Sequence, residues 1–291
     1  MRLFFFFFIC VLVFSQCSKP IASFLLDKQE YLLTDTMRIS NNSSSSLSYE
    51  WKINDEVISQ SKDLSYPVLE SGRYKIHLTA KSDSKTSIYQ EEVIVQSPKE
   101  CIVHLVTTHG DLILELDENT PVHLNNFTSL VEAGFYNGLI FHRVIEGFMV
   151  QGGDNKLRAS SNDSFEEPKE IPHEIRPDLI HVRGALAAAR MPDEINPEKK
   201  SSGSQFYIVD GTKLTFEKLK RIRDEKLFDY TDVQIQAYLK DGGTPQLDGE
   251  YTVFGMLISG FETLDKIAST ITDKFDKPQK EVRIIKAKML N

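Results

Sequence analysis

Residues 141–154 read Phe-His-Arg-Val-Ile-Glu-Gly-Phe-Met-Val-Gln-Gly-Gly-Asp, and this stretch decides the fold of the C-terminal two-thirds of the chain. Alternation from Leu139 to Ile145 predicts a strand with Ile140, His142 and Val144 on one face and Phe141, Arg143 and Ile145 on the other. Glu146-Gly147 predicts a tight turn, and Phe148-Met149-Val150-Gln151 resumes the strand. Gly152-Gly153 ends it where the backbone turns sharply or approaches something closely. A guanidinium beside Phe148, Met149 and the neutral amide of Gln151 suits a site that holds an uncharged peptide. The segment carries nothing for cutting one.

Three more segments come in order: Gly184-Ala185-Leu186-Ala187-Ala188-Ala189-Arg190, Ser202-Gly203-Ser204-Gln205-Phe206-Tyr207-Ile208, and Leu247-Asp248-Gly249-Glu250-Tyr251-Thr252-Val253-Phe254-Gly255. With 141–154 they resemble the four active-site segments of the cyclophilin-type peptidyl-prolyl cis-trans isomerases, the second in its bacterial form. The likeness covers roughly residues 101–291. It implies a closed eight-stranded β-barrel with two capping helices, and rotation of X–Pro bonds with no nucleophile, metal or cofactor. It further implies Arg143 as the hydrogen-bond donor, with Gln151 orienting it and binding backbone. Phe148, Met149, Leu247 and Tyr207 would line the proline pocket, with Tyr251 beside them. Ala189, Arg190 and Gln205 would form the extended-peptide groove.

Three positions depart from the family pattern. Tyr207 stands where Phe is usual, bringing a hydroxyl that needs a partner. Gln246 replaces a tryptophan linked to cyclosporin binding, which implies weak cyclosporin sensitivity. Arg190 replaces the asparagine of eukaryotic members. Strand alternation puts Gln205 and Tyr207 on one face and Phe206 on the other, toward a core.

Bulk properties narrow the function classes. A net charge of −8 with no long Lys/Arg run argues against a nucleic-acid partner. The first seventeen residues read as a targeting segment: Arg2, an apolar run from Leu3 to Phe14, then Ser15-Gln16-Cys17. Twelve apolar residues in a helix reach about 18 Å, short of a ~30 Å hydrocarbon core. The chain is therefore read as exported. Cys17 resembles the acylated cysteine of a bacterial lipoprotein, which implies a membrane anchor in the cell envelope (periplasm or outer membrane). Phe14 and Gln16 depart from that motif, so an ordinary cleaved signal is the other reading. Cys10 would leave with the signal. Cys101 opens a strand pattern and reads as a small buried hydrophobe.

Residues 20–98 are rich in Ser, Asn, Lys and Tyr, with short alternating runs at 37–39, 47–53, 72–80 and 89–95. Asn54-Asp55 predicts a hairpin turn. Several short strands without helical period predict an immunoglobulin-type β-sandwich, and the pattern around Trp51, Tyr66-Pro67 and Ser71–Leu78 is similar to PKD-like domains. Trp51 is expected to pin that core, and His77 to be structural.

A second domain is expected from 101 to 291. Val103–Val106 and Asp111–Leu116 predict a hairpin, and Thr120-Pro121 a helix start with Thr120 as N-cap. A late helix carries Leu264, Ile267 and Ala268, and a last strand is expected over Val282–Ile285. Residues 212–243 read as an inserted helical hairpin. Its first helix carries Phe216, Leu219 and Ile222, and a capping box at Thr231–Gln234 opens its second. It stands just before Leu247, either as surface decoration or as an aid to substrate selection.

The resulting expectation is an isomerase acting on proline-containing polypeptide clients during folding of exported proteins. A non-catalytic cyclophilin-like chaperone or scaffold is the alternative. The intact Arg143, Phe148 and Gln151 set favours turnover, because pure binding tolerates loss of the arginine. An envelope protein whose sandwich does the main work is a third class.

Overall fold

The computed structural model describes residues 19–32, 35–96, 101–158 and 165–290. The targeting segment and Cys17 lie outside them. The chain divides into two compact units between Gln96 and Ser97.

The first unit is all β. Its strands are β1 (Phe24–Leu26), β2 (Thr36–Asn41), β3 (Ser48–Ile53), β4 (Glu56–Ser59), β5 (Leu64–Pro67), β6 (Gly72–Lys81) and β7 (Thr86–Val95). They form two antiparallel sheets, ordered β1-β2-β5 and β4-β3-β6-β7, around one core. In β6, Tyr74, Ile76, Leu78 and Ala80 are buried and alternate with exposed or half-buried neighbours, the period-2 pattern of a one-sided sheet. Trp51 is fully buried, and its indole N–H donates to the Ser61 carbonyl at 3.0 Å. Asn54 and Asp55 both have positive φ, as the two central residues of a tight hairpin turn require. Strands β1, β4 and β5 were not expected from the sequence; at three or four residues each they are too short to show a period.

The second unit carries β8 (Cys101–Thr107), β9 (Gly110–Leu116), α1 (Pro121–Glu132), β10 (Phe141–Ile145), β11 (Met149–Gly152), β12 (Ala185–Ala188), β13 (Phe206–Val209), α2 (Phe216–Lys226), α3 (Asp232–Asp241), β14 (Val253–Ser259), α4 (Phe261–Ala268) and β15 (Ile284–Leu290). Eight strands make one curled antiparallel sheet, ordered β10-β11-β13-β12-β14-β9-β8-β15. Its edge strands do not pair as a ladder. They are linked by the single bridge Ile140↔Arg283 and by main-chain bonds such as Phe141 N–H to Val282 O at 2.9 Å. The barrel is thus a curled half-barrel with its edges tied at one end of β10. The last strand starts later and runs longer than the sequence pattern suggested.

The concave core takes Val103, Leu112, Leu186, Phe206 and Ile208, and it continues onto Phe127 and Val131 of α1 and Leu264 and Ile267 of α4. Truncating an aromatic such as Phe127 here would cost about 3–5 kcal/mol. Helix α1 has Pro121 at its first position, but Thr120 makes no side-chain cap. The cap comes from Glu174, which accepts from Val122 N–H (3.0 Å) and His123 N–H (2.9 Å). A carboxylate at a helix N-terminus also meets the positive end of its dipole. Cys101 is half-buried against the core rather than fully buried.

Strict alternation fails in one informative place. A register shift between Phe141 and Arg143 places a bulge at His142. Phe141 and Val144 therefore both enter the core, while Arg143 and Ile145 stay on the other side. The expected pairing of Phe141 with the Arg143 face is corrected by that extra residue.

The inserted hairpin is helical as expected. Thr231 and Gln234 form a reciprocal capping box at the start of α3. Leu219 and Tyr238 are buried between the helices and Ile180. Phe216 is exposed, because it stands at the first turn of α2 outside that contact.

Candidate active site

The register of the sheet assembles the site. Arg143 pairs with Gln151, Gln151 with Tyr207, Tyr207 with Ala187, and Ala187 with Val253, one row across five strands. Their neighbours Val150, Ile208 and Leu186 point into the core, so the row lies on the opposite face. There Met149, Ala187, Ala189, Tyr207 and Val253 form a second apolar cluster, with Phe148, Leu247 and Tyr251 packed against it.

Nine side chains line one small pocket of about 110 Å³: Arg143, Phe148, Met149, Gln151, Ala189, Arg190, Tyr207, Leu247 and Tyr251. All were singled out in the sequence. Gln205 completes the set at the rim, accepting from the Gln151 amide at 3.1 Å. A larger groove of about 640 Å³ runs past Arg183, Asp210, Lys213 and Asp265 and contains none of them.

Two expected roles change in detail. Gln151 bonds to Gln205, and the partner of Arg143 is Asp276, whose carboxylate accepts from Nε at 3.4 Å. That leaves the terminal N–H groups of the guanidinium for a bound peptide. The Arg190 guanidinium sits over the Tyr251 ring, 4.6 Å from its centroid, and donates to the Glu250 carbonyl, the Met191 carbonyl and Asp193. It shapes the groove wall with most of its donors committed to neighbouring residues.

The pocket floor rests on a buried polar network. Tyr207 Oη lies 3.0 Å from His181 Nε2, and His181 Nδ1 lies 2.7 Å from Asp248 Oδ1. Asp248 also accepts from His181 N–H (2.8 Å) and, at Oδ2, from the hydroxyls of Tyr230 and Tyr238, both at 2.6 Å. A carboxylate accepts only, so Nδ1 of His181 carries the proton and Nε2 accepts from Tyr207. Burial pushes the Tyr207 hydroxyl well above its ordinary pKa, which keeps it a donor. Burial, reinforced by the charge of Asp248, does the same to Tyr230 and Tyr238. The sequence shows that Tyr207 needs a partner but not which residue supplies it.

A Ser–His–carboxylate order also occurs: Ser201 Oγ lies 2.9 Å from His123 Nε2, and His123 Nδ1 lies 2.6 Å from Glu174. It is not a nucleophile site. Ser201 is 2% exposed, Glu174 is spent on capping α1, and the trio ties a loop to that helix. Among the described residues no group of His, Cys, Asp and Glu is placed to hold a metal ion.

The model of the family described as cyclophilin type peptidyl-prolyl cis-trans isomerase matches residues 102–289, more than half of the chain. The chain belongs to the cyclophilin-type isomerases. A Staphylococcus saprophyticus protein provisionally named as a peptidyl-prolyl cis-trans isomerase is 36% identical over 180 residues, covering 61% of this chain and 86% of that relative. A Streptococcus pyogenes protein, provisionally named as a bifunctional phosphatase and peptidyl-prolyl isomerase, is 36% identical over 185 residues. The match spans 62% of this chain and 37% of that protein, leaving most of the relative's length unmatched. The crystal structure of a Cryptosporidium parvum cyclophilin type isomerase superposes with a TM-score of 0.49 at 30% identity, covering 66% of this chain and 98% of that one. The family match coincides with the second unit, which holds the whole row from Arg143 to Val253.

Proposed function

We propose that this cyclophilin-type isomerase rotates X–Pro bonds in proline-containing polypeptides, and that its clients are exported proteins met in the cell envelope. The observation that supports the reading best is the convergence of Arg143 with Phe148, Met149, Tyr207 and Leu247 on one pocket. Rotation about an X–Pro bond has a barrier near ~20 kcal/mol because amide resonance must be broken. In the twisted state the imide nitrogen is pyramidal and carries a localised lone pair. Arg143 donates to that nitrogen and favours the twisted state over the planar one, which is catalysis by differential binding. Its guanidinium remains charged and presents a rigid fork of donors. One such hydrogen bond is worth about 1.5–3 kcal/mol, or roughly ten- to hundredfold in rate. The apolar pocket takes up the proline ring in both states and fixes the X–Pro bond beside Arg143. Gln151 and Gln205 hold the flanking backbone.

On this reading Cys17 is lipidated and anchors the chain to a membrane of the envelope. Residues 20–98 form a PKD-like sandwich with a partner of its own, and residues 101–291 form the barrel. Gln246, in the turn before Leu247, leaves the enzyme weakly sensitive to cyclosporin. The experiment is the isomerisation of a short X–Pro peptide by the full chain. Arg143-dependent turnover supports the enzyme; binding without turnover moves the assignment to a peptide-binding chaperone or scaffold.

A further inference from the structure

The inserted helical hairpin touches the pocket through one short segment. Leu247 lines the pocket, and each of the next three residues meets a side chain from α2, from α3 or from the turn between them. Asp248 accepts from the Tyr230 and Tyr238 hydroxyls, both at 2.6 Å, and its side chain is 1% exposed. Gly249, at φ +74°, faces the Phe228 ring, which stands 3.6 Å from where a Cβ would lie. Glu250 receives Lys226 at 3.6 Å, while Lys199 and Arg190 reach it from the groove side. Tyr251, next in the chain, lines the pocket again.

Such contacts are not those of a decorative hairpin. A surface insertion would bury its apolar stripe and leave its polar groups to water. Here two tyrosine hydroxyls are instead directed to a single buried carboxylate. The other oxygen of that carboxylate holds His181, and His181 holds the floor residue Tyr207. A carboxylate with four donors is fully satisfied, so each donor helps to fix its position. Removing one leaves the remaining geometry free to shift, and Leu247 and Tyr251 shift with it.

Taking the isomerase reading of the pocket as its basis, we infer that the insertion is a clasp on the proline pocket: Tyr230 and Tyr238 are positioning residues that act through Asp248 to set Leu247 from one side and, through His181, Tyr207 from the other. The pocket holds the proline ring in both the planar and the twisted state. Loosening it therefore weakens binding of both alike, which raises KM and leaves kcat in place. Arg143 acts on the twisted state alone and shows the opposite pattern.

The test uses the full chain, with Tyr230→Phe, Tyr238→Phe, the double variant, and Lys220→Ala on the exposed face of α2 as a control. KM, kcat and the Kd for an X–Pro peptide are measured beside Tm. The double variant is expected to raise KM and Kd about tenfold, the scale of one hydrogen bond to a charged group. Its kcat is expected within about twofold of wild type, and the control should match wild type. Unchanged KM and Kd in a folded double variant, with only Tm lowered, would overturn the inference by making the tyrosines merely structural. So would a loss confined to kcat. Should Tyr238→Phe prevent folding, Tyr230→Phe alone carries the same comparison, since its ring is only partly buried. A wild type that binds the peptide without turning it over defeats the isomerase reading only, and the Kd ratio still decides the clasp. A wild type that does neither overturns both.

Discussion

Arg143 Nε donates to Asp276 Oδ2 at 3.4 Å, so the arginine at the pocket is held from a loop 133 residues further along the chain. Both side chains are more than two-fifths exposed, and the bond is long. Its contribution to stability is therefore small, under about 1 kcal/mol, and its effect is on where the guanidinium sits. Replacing Asp276 by Asn, which removes the charge and tolerates the positive φ of 63° at that position, should leave Tm nearly unchanged and lower kcat by less than about tenfold. Steady-state isomerisation beside a thermal melt checks both. A loss as large as that of Arg143→Ala would give Asp276 a direct part in the reaction.

Tyr207→Phe should separate stability from turnover. The ring remains as the pocket floor, but His181 Nε2 is left buried without its donor. Unfolding free energy should fall by about 1–3 kcal/mol, while kcat stays within about threefold of wild type and any loss of activity appears in KM. Urea unfolding and peptide kinetics on one preparation decide it. A stable but inactive variant would show that the hydroxyl itself acts on substrate.

Gly153 closes the strand that carries Gln151. Its φ is +89°, and an added Cβ would collide with the Ser204 carbonyl and approach Gln205 Cα. Gly153→Ala should destabilise by more than about 1 kcal/mol, from the unfavourable backbone conformation and the clash together. It should also disturb the Gln151–Gln205 contact. A variant as stable as wild type would contradict the close approach.

Acid should weaken the second unit. Burial lowers the pKa of His104 and of His123; their neighbouring carboxylates, Asp111 and Glu174, offset this only in part. The unfolded chain takes up protons on these rings near pH 6.5, while the folded chain resists them. Stability is thus full above about pH 6.5 and falls as pH drops below it, by at most about 1.4 kcal/mol per pH unit for each histidine, until the lowered folded-state pKa is passed. Glu174 adds to the loss at lower pH. Burial pushes its pKa up, but the bonds from His123 and two backbone N–H groups outweigh that and hold it below the ordinary value. Its contribution is present above the usual carboxylate range and disappears as pH falls through the lowered value. Urea midpoints from pH 8 to pH 5 should decline, and His104→Gln should flatten the slope. A midpoint independent of pH would contradict this account.

The site was legible in the sequence because its four segments resemble those of the cyclophilin-type isomerases. Alternation alone separates Tyr207 from Phe206, and four ordered segments supply the row from Arg143 to Val253. What stayed hidden depends on tertiary contact. The bulge at His142 has no local signature, since the residues around it still alternate. Asp276 sits in a loop whose approach to Arg143 is set by the linked edges of the sheet. His181, Tyr230 and Tyr238 gave no pattern of their own. The hydroxyl of Tyr207 was the signal that a partner must exist, without saying which residue supplies it. The Glu174 cap was missed for the same reason: Thr120-Pro121 looks like a self-sufficient helix start, while the carboxylate that serves it lies about fifty residues away.

The central claim is tested most directly by the rate of cis–trans isomerisation of a short X–Pro peptide, measured with the full chain as wild type and as Arg143→Ala. The account predicts fast catalysis that falls by roughly ten- to hundredfold in the variant, with peptide affinity little changed. Equal rates in the two proteins, or no catalysis by the wild type, would contradict it.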